Sequence, residues 1–233
     1  SLMFRLAHEL STVHGPVLTT TTTKIYPPTT EQTKSLIINR SPNDMLVAAR
    51  DRLKRYRHIT ATVGHDTEHG KLIGYPPDAI DLIWKSELFR WIIIEADGAA
   101  RISLKAPAPH EPVIPACTDI VVGVVGLGAL NQPLTENTVF RHERFSRITG
   151  LKEGDIISVK ALGDLLTHPQ GLFQGAPLRA KRIVFLNQAD LSGKTSVGNS
   201  VIQHLSGCAN LDIERVILGS MLADSPVLRY QRL

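Results

Sequence analysis

A chain of 233 residues can bury one large core, and 42% hydrophobic with 21% charged residues is the balance of an ordinary globular protein. The formal charge of +4 and pI of about 9.2 suit a phosphate-bearing ligand but are too small to indicate nucleic acid as a partner. With only Cys117 and Cys208, neither a disulfide framework nor a four-cysteine zinc site can be built. No apolar run approaches the roughly 18 residues of a membrane span, so a cytoplasmic protein without a membrane partner is expected.

In chain order, Leu2, Met3, Leu6, Ala7, Leu10 and Val13 recur at helical spacing. A parallel α/β domain normally enters such a helix from a strand, so a first strand and its loop are expected upstream of Ser1. Pro16-Val17-Leu18 reads as a buried strand running into Thr19 to Thr23 and Lys24. Thr20, Thr21 and Lys24 are candidate donors to phosphate or to metal-bound water; the other reading of the threonines is a β-favouring strand with branched side chains.

From about 30 to 85 the texture is that of an inserted strand-helix-strand-strand layer. Leu36-Ile37-Ile38 is a strand, and Ser41-Pro42 opens a helix with a capping serine and proline at its first position. The basic run Arg50, Arg52, Lys54, Arg55 and Arg57 reads as a solvated helix face. His58, His65 and His69 beside Asp66 and Glu68 surround a glycine turn; they are either a metal site or, as is usual on a polar turn, solvated side chains.

Trp91-Ile92-Ile93-Ile94 is the chain's central apolar strand, stopped by Glu95-Ala96-Asp97-Gly98. Acidic groups at the carboxyl end of a parallel strand stand where α/β proteins place their ligands. In nucleotide hydrolases such a carboxylate orders water on Mg²⁺, which keeps most of its hydration shell. Asp97 is the candidate metal-site and catalytic residue, with Glu95 beside it. The other reading of the segment is a strand ending in a solvated turn.

The proline-rich stretch that follows, with Lys105, His110 and Glu111, cannot be regular structure and is expected to form a rigid loop shaping a substrate or client site. Asp119 to Val125 is a second apolar strand. The Gly126-Leu127-Gly128 after it imitates a dinucleotide fingerprint, but Asn131 replaces the third glycine and Pro133 stands where a helix should begin. Helices are expected over Phe140 to Ile148 and Ile156 to Leu166. Arg182 to Leu186 is a further strand, ending in Asn187-Gln188-Ala189-Asp190.

An Asn-x-x-Asp at such a strand end can read guanine: the carboxylate accepts from N1 and N2, and the asparagine amide contacts the same base. Local capping of the next turn by Asn187 and Asp190 is the competing role. Ser192-Gly193-Lys194-Thr195 mimics a phosphate loop without its upstream glycine and reads as a helix amino terminus. The last strand, Val216-Ile217-Leu218, reaches Gly219, where a backbone can approach a ligand.

Taken together, the phrases Val17-Leu18 through Thr20 to Ile25, Glu95-Ala96-Asp97-Gly98, Leu104-Lys105-Ala106-Pro107-Ala108 with His110 to Pro115, and Asn187 to Asp190 resemble the YqeC family of selenium-dependent hydroxylase accessory proteins. The resemblance implies a P-loop nucleotide hydrolase: one α/β domain with a mostly parallel sheet, helices on both faces and the small insertion at about 30–85. It also implies a Gly-Gly-Lys-Thr phosphate loop directly before the opening helix. Its cofactors would be Mg²⁺ and GTP or ATP, with GTP favoured modestly, since Gln188 stands where the family has a lysine whose stem covers the base and would cover it without the charge. Its partner would be a client molybdenum hydroxylase or that enzyme's cofactor machinery. A small-molecule kinase or nucleotidyl transferase, and a nucleotide-sensing scaffold without turnover, are the alternatives.

Overall fold

Short β-branched runs separated by proline, glycine and capping residues set the elements of the computed structural model, which describes residues 2–208 and 211–233. The described chain clusters into two compact units. The first runs as far as Gly98 and includes Val113–Cys117; the second contains Ala99–Pro112 and Thr118–Leu233.

The first unit contains α1 (Leu2–Val13), β1 (Val17–Thr21), β2 (Lys24–Ile25), β3 (Leu36–Ile38), α2 (Pro42–Arg52), β4 (His58–Thr62), β5 (Gly64–Asp66), β6 (Lys71–Ile73), α3 (Pro77–Lys85) and β7 (Trp91–Glu95). Strands β3, β4, β1 and β7 form a parallel sheet in that order. The segment expected as an inserted layer therefore supplies two strands of the principal sheet, while β2, β6 and β5 make a small antiparallel sheet. Alternation puts Leu18, Ile59 and Ala61 on one face, where they pack with Met45, Ile80 and Ile83 of α2 and α3. Each such fully buried aliphatic side chain contributes roughly 1.5–3 kcal/mol. Helix α1 packs on β1, with Met3 against Ile93, Ile25 and Leu72. Helix α2 starts as its sequence requires: Ser41 Oγ accepts from the Asp44 N–H at 3.2 Å and Pro42 takes the first helical position.

The second unit contains β8 (Leu104–Lys105), β9 (Ile120–Gly126), β10 (Val139–Phe140), α4 (His142–Thr149), α5 (Val159–Thr167), β11 (Lys181–Asn187), α6 (Lys194–Ser206), β12 (Arg215–Gly219) and β13 (Val227–Arg232). Its sheet has the order β13-β12-β11-β9, parallel except for β13. Val125, Val184, Leu186, Val216 and Leu218 pack with Leu162, Leu165, Val201 and Leu205 of α5 and α6.

The helix expected from Phe140 begins at His142, because Val139–Phe140 pairs with Leu104–Lys105 and Arg141 takes a left-handed conformation (φ 61°). The helix expected from Ile156 begins after Ser158, since Ile156 bridges to Pro133 and Ser158 Oγ caps the Ala161 N–H at 3.1 Å. Among the described residues no helix is long and apolar enough to cross a membrane.

Candidate functional site

In the first unit the candidate residues gather at the carboxyl ends of β1, β4 and β7. The chain reverses at Gly15-Pro16 between α1 and β1, so the amino end of α1 points toward that same edge. A helix amino terminus carries partial positive charge and unsatisfied N–H groups, which favours anions there.

Glu95 closes β7 in register with Thr21. Burial pushes its carboxyl above the ordinary range, and the nearby Asp97 carboxylate adds to the rise. Asp97 follows two residues later and is half-buried. These carboxylates are hard oxygen donors of the kind Mg²⁺ takes, so the residues present fit the ion.

The threonines serve mainly to hold this acidic segment in place. Thr21 Oγ1 donates to the Glu95 carbonyl at 2.6 Å, and the Thr22 N–H donates to the same oxygen at 3.3 Å. Thr22 Oγ1 donates to the Val113 carbonyl at 2.6 Å, while the Val113 N–H donates to Ala96 at 3.1 Å. Thr20, on the opposite face, donates to the Ala61 carbonyl at 2.7 Å. A Cβ on Gly74 would lie 2.0 Å from the Thr21 carbonyl oxygen, so only glycine lets the turn after β6 close on the end of β1. Lys24 pairs with Asp66 at 2.7 Å, across the small antiparallel sheet.

Sequence reasoning missed Thr62 at the end of β4, which is fully buried with a hydroxyl that has no partner among the described residues. Nothing in its local sequence distinguishes it from the other threonines.

The histidines divide between two roles. His58 hydrogen-bonds Thr19 Oγ1 at 2.9 Å, and Thr19 in turn bonds Thr60 at 2.7 Å. Burial first, and His8 second, lower the His58 pKa to about 4. Asp66, Glu68 and His69 bring one ligand atom each within 4.8 Å of one another. Asp66 there already receives Lys24 and, at 3.0 Å, His69 Nδ1; hydrogen bonding from Lys24, its largest cause, holds its carboxyl well below the usual range.

In the second unit three strand ends are tied together. Asn187 Oδ1 accepts from the Met221 N–H at 2.9 Å, beyond the end of β12. Because a backbone N–H can bond only to the oxygen of the amide, Asn187 Nδ2 is left as the donor it presents. Gln188, left-handed at φ 68°, turns its Oε1 back to accept from the Gly128 N–H at 3.0 Å. A Cβ on Gly126 would lie 2.8 Å from the Ser103 carbonyl oxygen, so that glycine of the false dinucleotide fingerprint serves close backbone packing, and a Cβ on Gly128 would meet the Gln188 oxygen at 2.9 Å. The Ala189 N–H donates to the Gly219 carbonyl at 3.1 Å, and Asp190 is exposed on the turn. At Gly219 the close backbone is Pro226: a Cβ would lie 1.8 Å from the Pro226 oxygen. Ser192 to Thr195 opens α6, with Lys194 Nζ donating to the Leu130 carbonyl at 2.6 Å.

The proline-rich loop of this unit is anchored at its ends. Lys105, 7% exposed, donates to Glu111 at 2.7 Å, and Arg141 grips both carboxylate oxygens. Burial raises the Glu111 pKa, but the Arg141 and Lys105 hydrogen bonds outweigh it and bring the carboxyl down to about 2. Gln174 Nε2 donates to the carbonyls of Ala108, Pro109 and Glu111, and Arg144 to that of Pro107. His110 is exposed at the tip. Arg141, Arg144 and Gln174 carried no sequence signal, because they act from a distant part of the chain.

Two parallel sheets whose carboxyl ends carry acidic and amide side chains define an α/β protein with its polar chemistry at the ends where that class binds ligands. The family model described as YqeC protein matches residues 1–143. The chain is 30% identical over 234 residues to "Uncharacterized protein YqeC" of Escherichia coli (strain K12), spanning 98% of this chain and 86% of that relative. The chain belongs to the YqeC family. No solved structure matches it.

Proposed function

We propose that the protein binds and hydrolyses a purine nucleoside triphosphate, GTP in preference to ATP, as a P-loop-type accessory factor in the maturation of a selenium-dependent molybdenum hydroxylase. The observation that carries the base preference is the state of Asn187. Its acceptor is used on Met221, so the turn offers an amide donor together with the exposed Asp190 carboxylate. Guanine presents an acceptor at O6 beside donors at N1 and N2, whereas adenine would set a donor against the amide and leave the carboxylate unpaired.

Asp97 is the residue that would hold Mg²⁺ through its ordered water, and the ion would supply charge neutralisation on the phosphates when bound. Glu95 retains a proton more readily than an ordinary carboxylate, which suits a group that orients water. The client assignment rests on the family resemblance: His110 is exposed on the loop that would face the client, and the Lys105–Glu111 pair holds that loop in shape.

Competition of GTP, ATP and XTP against a labelled nucleotide tests the reading. Asp190→Asn is expected to weaken GTP binding by about one to two orders of magnitude and to shift preference toward XTP, whose C2 oxygen accepts where guanine donates. Equal affinity for GTP and ATP in the wild type, unchanged in the variant, would remove it. Phosphate release stimulated by a client supports the accessory role; transfer to a small acceptor would replace it with a kinase.

A further inference from the structure

The outer edge of the second unit carries a feature that the nucleotide reading does not use. Strand β13 pairs with β12 on one side, and among the described residues no strand pairs with its other side. None of its six residues is buried; Leu228 and Tyr230 are 57% and 66% exposed. An open edge with apolar side chains is a template for strand addition.

Charge decides what can add there. Arg215 of β12 lies directly opposite Arg232 of β13, which puts both side chains on one face. Like charges in that relation destabilise a sheet. Nearby cations are answered: Arg179 by Asp119, Lys181 by Glu214 and Arg182 by Asp212. Among the described residues neither Arg215 nor Arg232 has an acidic partner, and the Arg215 Nε is buried without a hydrogen bond. The Arg215 guanidinium leans over the Tyr230 ring, 5.6 Å from its centre, and so toward the open edge.

We infer that the open edge of β13 docks an extended acidic segment of a partner protein, pairing as an added strand with a carboxylate received by Arg232 and Arg215. Strand β13 contains Arg229 and Arg232 and no acidic residue, so a second copy of the same strand is repelled. Nucleic acid is disfavoured because Arg179, Lys181 and Arg182 are paired with acids, while Arg229 lies on the other face of the strand and donates to Asn199 Oδ1. The acids of an alternating segment would lie on the face that carries Tyr230 and Arg232, and its apolar residues on the opposite face, with Arg229 and Gln231. The inference stands apart from the nucleotide reading, since it concerns a different edge and is tested without nucleotide.

The probe is a fluorescent synthetic peptide of alternating valine and glutamate, with its lysine counterpart as control. The glutamate peptide is expected to bind and to slow amide exchange along β13, and the lysine peptide to do neither. Arg215→Gln and Arg232→Gln should each weaken binding by about tenfold, equivalent to roughly 1.4 kcal/mol. Both should leave the melting temperature level or higher, because a repulsion is removed. Arg232→Glu should transfer the preference to the lysine peptide, a gain that a misfolded variant could not show. Equal binding of the two peptides, full affinity in both glutamine variants, or protection away from β13 would overturn the inference. So would arginine-dependent binding of oligouridylate with none of the glutamate peptide.

Discussion

At the ends of β1 and β7 the polar groups are hydroxyls, and neighbouring carbonyls consume them: Thr21 and Thr22 hold Glu95 and Val113 in place. At the end of β11 they are amides, and in each the oxygen accepts from a neighbouring loop while the nitrogen keeps its donors. A hydroxyl has a single proton to donate, so a threonine that staples a backbone has no donor left for a ligand. A primary amide has an acceptor and two donors, so Asn187 can build the turn and still read a base. The first unit thus spends small side chains to position carboxylates, whereas in the second the proposed recognition would fall to residues that also build the scaffold.

The comparison is broken most severely at Asp97. Asp97→Asn should lower nucleotide hydrolysis by about a hundredfold or more with the melting temperature preserved, because it removes charge and leaves shape. A fully active variant would place the chemistry elsewhere. Gly219→Ala should cost roughly 1–3 kcal/mol in denaturant unfolding, since a Cβ there would sit 1.8 Å from the Pro226 oxygen and the β12–β13 turn must move. Thr21→Val tests the stapling role. Loss of the hydroxyl's bonds to the Glu95 carbonyl, the Thr23 N–H and Thr23 Oγ1 should destabilise by roughly 1–3 kcal/mol and lower hydrolysis without changing which base is preferred.

Acid separates the two units most gently. His58 is held neutral with its pKa lowered from 6.5 to about 4, so the unfolded chain binds the proton first and the first unit loses stability as pH falls through that window. Glu111 is held ionised with its pKa lowered from 4.5 to about 2, so its contribution to the second unit is lost only as pH falls below 4.5 toward 2. Tyrosine and tryptophan fluorescence together with amide exchange should therefore show the first sheet loosening before the proline-rich loop. His58→Phe should delay the first change and Glu111→Gln abolish the second.

Much of the scaffold was legible in the chain. Trp91 to Glu95 read as a strand because an apolar β-branched run stopped by acids has few other uses, but it was expected at the centre of its sheet and stands at the edge, paired with β1 alone among the described strands; Ser41-Pro42 announced α2 by capping chemistry alone. The threonine run was legible as a strand, but its donors were assigned to a ligand, because sequence does not reveal whether a hydroxyl faces a carbonyl 74 residues away. The segment at 30–85 read as an inserted layer because the parallel pairing of β4 with β1, which brings β3 into the same sheet, is non-local. Gln188 was expected to cover a base. Its left-handed backbone and the space over Gly126 and Gly128 direct its oxygen back to the Gly128 N–H instead.

That bond from Gln188 to Gly128, with the one from Asn187 to Met221, fixes the 187–190 turn before any ligand arrives. Its conformational entropy is lost during folding, so little ordering remains to be done on encounter. A recognition element prepared in this way captures its ligand at a rate set by collision and charge, nearly the same for a correct and an incorrect base. Discrimination then appears in residence time: the wrong base enters as quickly as the right one and leaves sooner.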